Sequence, residues 1–552
     1  MKTRAASAIA ILLTLNGCDG VRSTEAGLGS ITEAELAEHI TVLASDEFGG
    51  RAPSSPGEVL TTDYLAAEFV RVGLEPGNGS SYFQDVPLVD ITAAPDTRLI
   101  VAGSGAPQSF AYADDVVVWT TRVVEESSVA ASEMVFVGYG IVAPEYGWND
   151  YEGVDVTGKT VLILVNDPGY ATQDPELFTG NAMTYYGRWT YKFEEAARQG
   201  AAAALIIHQT APAAYGWDTV RNSWSGPRFH LQSPDGNAGN LAIEGWLSEG
   251  ATRSVFRRAG LDFDAQYAAA ATPTFAAEPM GLTATTSVSN TLRFSDSRNV
   301  IGVLPGAEAP DEYFIYMAHW DHFGTDQEIV ARGEDGIYNG AFDNASGTAA
   351  LLELAEAFAQ GPAPRRSIVF LAVTAEEQGL LGSAHYAANP IFPLARTVAG
   401  LNIDGLNNFG PTRELVVVGH GLSELDGIME SAAAGQGRRI DPDPQSEKGF
   451  YYRSDHFELA KMGVPMIYPE GGIDHVEHGS EWGLAQKEKY GAERYHMPTD
   501  EFDETWDLSG AVADVQLFYA LGAAVIDAEA WPNWHEGTEF RALRDASRAP
   551  SR

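Results

Sequence analysis

Six short apolar runs between residues 298 and 470 constrain the fold more than anything else in this chain: NVIGVL, EYFIYMA, SIVFLAV, TVAGLNI, ELVVVG and VPMIYP. Each has strand length and carries β-branched or aromatic residues. Between several of them lie segments with apolar residues at helical spacing, ASGTAALLELAEAFA, GLLGSAHYAA and LSELDGIMESAAA. Strands that are apolar on both sides need cover on both sides. The pattern therefore predicts an α/β fold, a mixed, largely parallel sheet with helices on both faces. In such a sheet, ligands bind beyond the carboxyl ends of the strands.

The residues at those ends are of one chemical kind. His319 follows EYFIYMA, Glu376 and Glu377 follow SIVFLAV, and Asp404 follows TVAGLNI. Asp343 stands just before a helical segment, where a carboxylate also suits the positive end of the helix dipole. His496 lies on a late loop, YHMPTDEFD. Carboxylates and imidazoles are ligands for Zn²⁺, and a carboxylate can serve one ion with each oxygen. Asp343 is the natural bridge. Of two adjacent glutamates, one can bind metal while the other stays free as a base. Asp321, two residues beyond His319, can accept a hydrogen bond from the imidazole and set its tautomer. The stretch from His319 to Gly347 thus reads as the organising element of a two-metal hydrolase. Asp455 and His456 either support that site or cap a helix. His475 and His478, in GGIDHVEHG, read as a surface loop that could rim a pocket.

Residues 31–74 read as helical, with Thr32 as N-cap and Gly73 as C-cap. Residues 81–130 alternate as strands do. MVFVGYGIV, KTVLILVND and AAALIIHQ read as further strands and YKFEEAARQ as a helix. This block, 125–290, shows no cluster of metal-type residues and reads as an inserted α/β module. LSGAVADVQLFYALGAAVIDA reads as a packed surface helix, and the tail after Trp531 as loose. The division expected is a leader at 1–18 and a linker at 19–30. The main domain occupies 31–124 and 291–530, the insert 125–290 and the tail 531–552.

The leader has Lys2 and Arg4 before an apolar stretch, Ala5 to Leu15, too short to span a bilayer. Leu15-Asn16-Gly17-Cys18 resembles a bacterial lipobox, in which the chain is cut before a cysteine that is then lipidated. Export to the cell envelope as a lipoprotein is expected, with plain secretion as the alternative. Cys18 is the one cysteine, so no internal disulfide can form. No later stretch reads as long and apolar enough to cross a membrane, which leaves a lipid on Cys18 as the membrane contact. Lys and Arg total 35 against 76 Asp and Glu, a net charge of −41. Such a surface repels polyanions, so nucleic acid is excluded as a partner.

Taken together, HWDH at 319–322, NGAFDNASG at 339–347, TAEEQGLLGS at 374–383, NIDG at 402–405, YRSDH at 452–456 and RYHMPTDEF at 494–502 resemble the co-catalytic di-zinc aminopeptidases. That family also holds glutamate carboxypeptidase II. GGRAPSSPG at 49–57 looks like its N-terminal region, and the 125–290 block resembles its protease-associated insert. The resemblance implies a zinc exopeptidase fold and two Zn²⁺, one held by His319, Asp343 and Asp404, the other by Asp343, Glu377 and His496. It implies Glu376 as general base and acid, and a cis peptide between Asp343 and Asn344. Tyr451 or Tyr452 would assist at the oxyanion. Peptides are the implied substrates, with release of N-terminal residues as the leading activity. A carboxypeptidase is the first alternative and needs a basic pocket, for which Arg188, Arg365, Arg366 and Arg453 are available. A glutaminyl cyclase or a receptor-like homologue without catalysis completes the alternatives.

Overall fold

The structure, a computed structural model, describes residues 27–94, 97–224 and 226–548. The leader and Cys18 lie outside them. Helix α1 (Glu33–Leu43) begins where the Thr32 side chain accepts from Glu35 N, a cap that contributes about 1 kcal/mol. Helix α2 (Pro56–Val72) ends at Gly73, whose φ of 86° is left-handed. Then follow β1 (Phe83–Ala93), β2 (Arg98–Ala102), β3 (Val116–Trp119), β4 (Glu126–Phe136), β5 (Thr160–Leu164) and α3 (Trp189–Arg198). After them come β6 (Ala203–Ile207), β7 (Pro227–Leu231), β8 (Ile243–Leu247) and the long β9 (Glu278–Leu304). The remainder alternates: β10 (Ala309–His319), α4 (Gly347–Gln360), β11 (Arg366–Val373), α5 (Leu381–Ala388), β12 (Thr397–Asn402), β13 (Glu414–Val418) and α6 (Leu425–Gly435). It closes with β14 (Met466–Gly471), α7 (Ser480–Glu493), α8 (Ser509–Asp527) and α9 (Arg541–Arg548).

The main sheet runs β7-β1-β9-β11-β10-β12-β14-β13. Its centre, β11-β10-β12-β14, is parallel, and its flanks are antiparallel. Alternate residues of one strand enter two different cores, as a period of two requires. Phe314, Tyr316 and Ala318 pack with α1, α2, α4 and α8. Ile315 and Met317 pack on the other side, with Tyr386 of α5 and with Leu459 and Val464. That is why β11 is buried at every position, and why its sequence shows no alternation. The expected fold class is the one observed.

A second sheet lies within 98–289. Its parallel run is β4-β5-β6-β8, with β3 antiparallel on β8. Strand β9 belongs to both sheets. Residues 278–289 pair with β4 and β2, and residues 290–300 pair with β1. The expected boundary at 290 therefore falls inside one continuous strand. The second sheet begins at Arg98 rather than at 125, and β7, from inside the block, returns to the main sheet on β1. Hydropathy could not reveal this, because a strand shared by two sheets has no composition shift along it.

Two expectations at the end of the chain are corrected. Helix α8 has a mean hydropathy of 1.5 and passes the length test for a membrane span. It is a core helix, not a surface one: Leu517, Phe518 and Leu521 are buried, and its buried Asp514 pairs with Arg438 at 2.7 Å. The described part of the tail, residues 531–548, is not loose. Trp534 is fully buried with Nε1 donating to Gly463 O, and Arg544 of α9 donates to Thr397 O and Val398 O.

Candidate metal centre

The carboxyl ends of β10, β11 and β12 lie side by side, and each delivers what the sequence placed there. Strand β10 ends on His319, a tight turn after β11 carries Glu376 and Glu377, and Asp404 follows β12. Asp343 comes from the irregular helical turn Ala341–Ser346 that leads into α4, where the Asp343–Asn344 peptide is cis. Asn344 ties this turn to the end of β12: its Nδ2 donates to Ile403 O, and its Oδ1 accepts from Gly347 N and Gly405 N. Gly347 permits that approach, since a Cβ there would lie 2.2 Å from Asn344 Oδ1.

His319 Nε2 lies 3.3 Å from Asp343 Oδ1 and 3.2 Å from Asp404 Oδ1. His496 Nε2 lies 3.2 Å from Asp343 Oδ2 and 3.3 Å from Glu377 Oε2. Asp343 is thus shared, one oxygen to each histidine. Glu376 reaches the same space, 4.0 Å from His319 Nε2. One cluster with metal-ligand spacing is His319, Asp343 and Asp404. A second is His322, Asp343 and Glu377.

Electrostatics make the donor set a fit for cations. Burial, with the neighbouring carboxylates after it, pushes Glu376 and Glu377 well above the ordinary carboxylic range. Burial works to raise Asp343, but hydrogen bonds from His319 and His496 and the charges of the nearby imidazoles together hold it well below that range. Among the described residues these carboxylates make ion pairs with histidines and none with Lys or Arg. Buried like charges of this kind are stable only when paired or bound to a cation. Acidic oxygens and imidazoles at this spacing suit Zn²⁺.

Asp321 plays a different part from the one expected. His319 Nδ1 donates to the backbone carbonyl of Asp321 at 3.2 Å, while the Asp321 carboxylate stands 3.8 Å away. Its Oδ1 instead accepts from Glu376 N at 3.0 Å. It therefore positions the glutamate turn as well as facing the imidazole. Tyr451 and Tyr452 are not at the site. Both are buried in an apolar cluster with Trp534 and Phe540, their hydroxyls spent on Met466 O and Glu539. Tyr468, Tyr490 and Tyr495 line the cavity, and Tyr495 stacks on the His496 ring at 3.7 Å. Its adjacency to His496 in RYHMPTDEF was the signal available.

Other supporting groups were also passed over. His322, the last residue of HWDH, is fully buried with Nδ1 2.5 Å from Glu377 Oε1. Burial holds its pKa down, to about 3, so the ring is neutral. Asn402 donates to Ser454 Oγ, which donates to Asp404 Oδ2, each at 2.7 Å. Asp500 accepts from Phe342 N and Asp343 N and from Tyr490 Oη. Asp455, of uncertain role by sequence, is buried and accepts from Ser383 Oγ, and burial lifts it to about 7. His456 packs between Tyr451 and Tyr468. His475 and His478 stack on each other and line a separate cavity of about 600 Å³.

The model of peptidase family M28 matches residues 299–520, the span that holds every one of the candidate ligands. Over this segment the chain is similar to the M28 peptidases. Aminopeptidase NAALADL1 of Mus musculus is 38% identical over 132 residues, 23% of this chain and 16% of that protein. A probable zinc metalloprotease of Pyrenophora tritici-repentis is 37% identical over 213 residues, 37% of this chain and 47% of that protein. The chain thus spans less than half the length of either relative. Among solved structures, an aminopeptidase from Aneurinibacillus sp. strain AM-1 superposes with a TM-score of 0.49 at 19% identity, covering 92% of this chain and 96% of that one. The M28 segment begins within β9 and ends within α8, so the second sheet at 98–289 precedes it.

Proposed function

We propose that the chain is a two-zinc exopeptidase that removes N-terminal residues from peptides. The observation that carries the reading is the division of Asp343, whose Oδ1 faces His319 and whose Oδ2 faces His496. His319, Asp343 and Asp404 would hold one ion, and Asp343, Glu377 and His496 the other. Bound there, the ions would polarise the scissile carbonyl and acidify a water. Glu376 takes the proton of the attacking water and passes it to the leaving nitrogen. Its backbone is held for that task by Asp321. Tyr495 is half-exposed, but burial of its hydroxyl and the nearby carboxylates Asp343 and Glu377 push its pKa upward. It stays protonated and donates to the developing oxyanion. Peptides enter a cavity of about 860 Å³ lined by Glu376, Asp404, Arg453, Tyr468, Glu470 and His496. Export through the leader, with a lipid on Cys18, belongs to the same reading and rests on the leader sequence.

One observation favours a second reading, cleavage at a free C-terminus. Arg453 lines the cavity, and its Nε is buried without a partner. Arg188, from the second sheet's side, is likewise buried with an unpartnered Nε, and burial followed by the Arg453 charge lowers its pKa to about 9. Two guanidinium groups with no carboxylate on them among the described residues favour an anion such as a substrate carboxylate. Arg366 is excluded, because it is spent on Glu312, Val525 O and Glu529 O. Arg365 faces Glu308 and Glu312. Rates on amino-acid nitroanilides beside N-blocked peptides with free and amidated C-termini separate the readings. Cleavage restricted to free amines supports the first. Cleavage of N-blocked free acids, lost on amidation, supports the second and rejects the first.

A further inference from the structure

Arg51 lies behind the candidate metal centre, on the loop between α1 and α2, and is fully buried. Among the described residues its guanidinium makes four hydrogen bonds, all to backbone carbonyls. Nε donates to Trp320 O at 2.9 Å, Nη1 to Leu43 O at 2.7 Å and Asn339 O at 2.5 Å, and Nη2 to Gly340 O at 2.9 Å. Trp320 is next to His319, and Gly340 is three residues before Asp343. One side chain therefore grips both ends of the stretch that supplies two of the candidate ligands. The main chain of the same loop adds to the grip: His322 N donates to Arg51 O, Gly324 N to Gly50 O, and Thr325 Oγ1 to Gly49 O.

The charge is placed with equal care. A buried guanidinium normally sits on a carboxylate, because desolvating an unpaired charge is costly. Among the described residues Arg51 makes no ion pair within 4.0 Å, yet Asp500, Asp321, Asp343 and Glu377 all act on it electrostatically. Those four carboxylates have no other Lys or Arg on them among the described residues. Hydrogen bonds to carbonyls satisfy the donors while leaving the positive charge uncancelled. It faces the carboxylates through the chain it holds.

We infer that Arg51 is a positioning residue for the metal centre: its fork holds His319 and Asp343 in register, and its charge offsets the crowded carboxylates behind the ligands. This rests on the proposal that the centre binds zinc. A planar fork can reach four carbonyls in fixed directions, which the single ammonium of lysine cannot. Arg366 is the control, since it is also fully buried and bonded to carbonyls but stands at the other end of β11 from Glu376.

The test is equilibrium zinc affinity, measured by competition with a chromogenic chelator on folded protein, beside the melting temperature. Arg51→Met should weaken zinc by about 10–100-fold, the range typical of groups that support metal ligands. Arg51→Lys should fall between that and the native protein. Arg366→Met should lower the melting temperature and leave zinc affinity unchanged. An Arg51→Met protein that folds and binds zinc within twofold of the native chain would overturn the inference. Should Arg51→Met fail to fold, Arg51→Lys decides, and native affinity in it overturns the inference equally. If the native protein binds no zinc, the functional reading itself is what fails.

Discussion

Asp343 Oδ1 lies 3.3 Å from His319 Nε2, at the far end of the stretch that His319 opens, while its second oxygen faces another imidazole. Glu377 also faces two imidazoles, but it is Asp343 that belongs to both ligand clusters. Asp343→Asn replaces one of the two oxygens by an NH₂ group, which cannot bind a cation. We expect this variant to lose zinc from both positions. His319→Ala, Asp404→Asn, Glu377→Gln and His496→Ala should each lose chiefly one. Zinc per chain at a fixed free concentration checks the ranking, and equal losses in all five would refute it.

Glu376 reaches the centre without being needed in either ligand cluster. Glu376→Gln keeps the shape and removes the base. Zinc content should be unchanged while turnover falls about 10²–10⁴-fold, the usual contribution of general base catalysis. Near-native turnover would remove Glu376 from the mechanism.

His322 holds Glu377 Oε1, which leaves Oε2 for His496 and the space beside it. His322→Ala should free the carboxylate to rotate. Zinc affinity is expected to drop by about 10-fold, and KM less than that. An unchanged binding isotherm would show that Glu377 is oriented by something else.

Glu244 gives a pH prediction away from the centre. It is buried in β8, accepts from Trp119 Nε1 and Thr121 Oγ1, and is raised by burial to about 7. Unfolded, a glutamate titrates near 4.3. Between these values the folded chain binds the proton and the unfolded chain does not. Stability is therefore lost as pH rises through that window, by up to about 1.4 kcal/mol per pH unit from this group. Glu244→Gln removes the effect. Its melting temperature should gain on the native protein as pH rises from 5 to 7.5, and a constant difference across that range would contradict the assignment.

The alternation of strands and helices from residue 298 onward was legible because burial on both faces writes continuous apolar runs. The residues at the strand ends were legible because a parallel sheet aligns those ends. His319, Glu376, Glu377 and Asp404 needed no more than that. Other features left no mark. Strand β9 serves two sheets without a change in texture, so the boundary was misplaced. The tail looked polar, yet Trp534 and Arg544 hold it against the body of the chain.

What the sequence determined by itself was local: which segments are strands or helices, and which of them end in metal-type side chains. Tertiary structure alone decided which side chains meet. Tyr451 and Tyr452 differ little in sequence terms from Tyr495, but burial took the first two and left Tyr495 on the cavity. Arg51 became part of the centre because carbonyls distant in the chain were brought around it. Asp321 accepts its hydrogen bond from a backbone amide, and only faces the ring beside it. Such choices depend on distances set by packing, and sequence spacing carries no record of them.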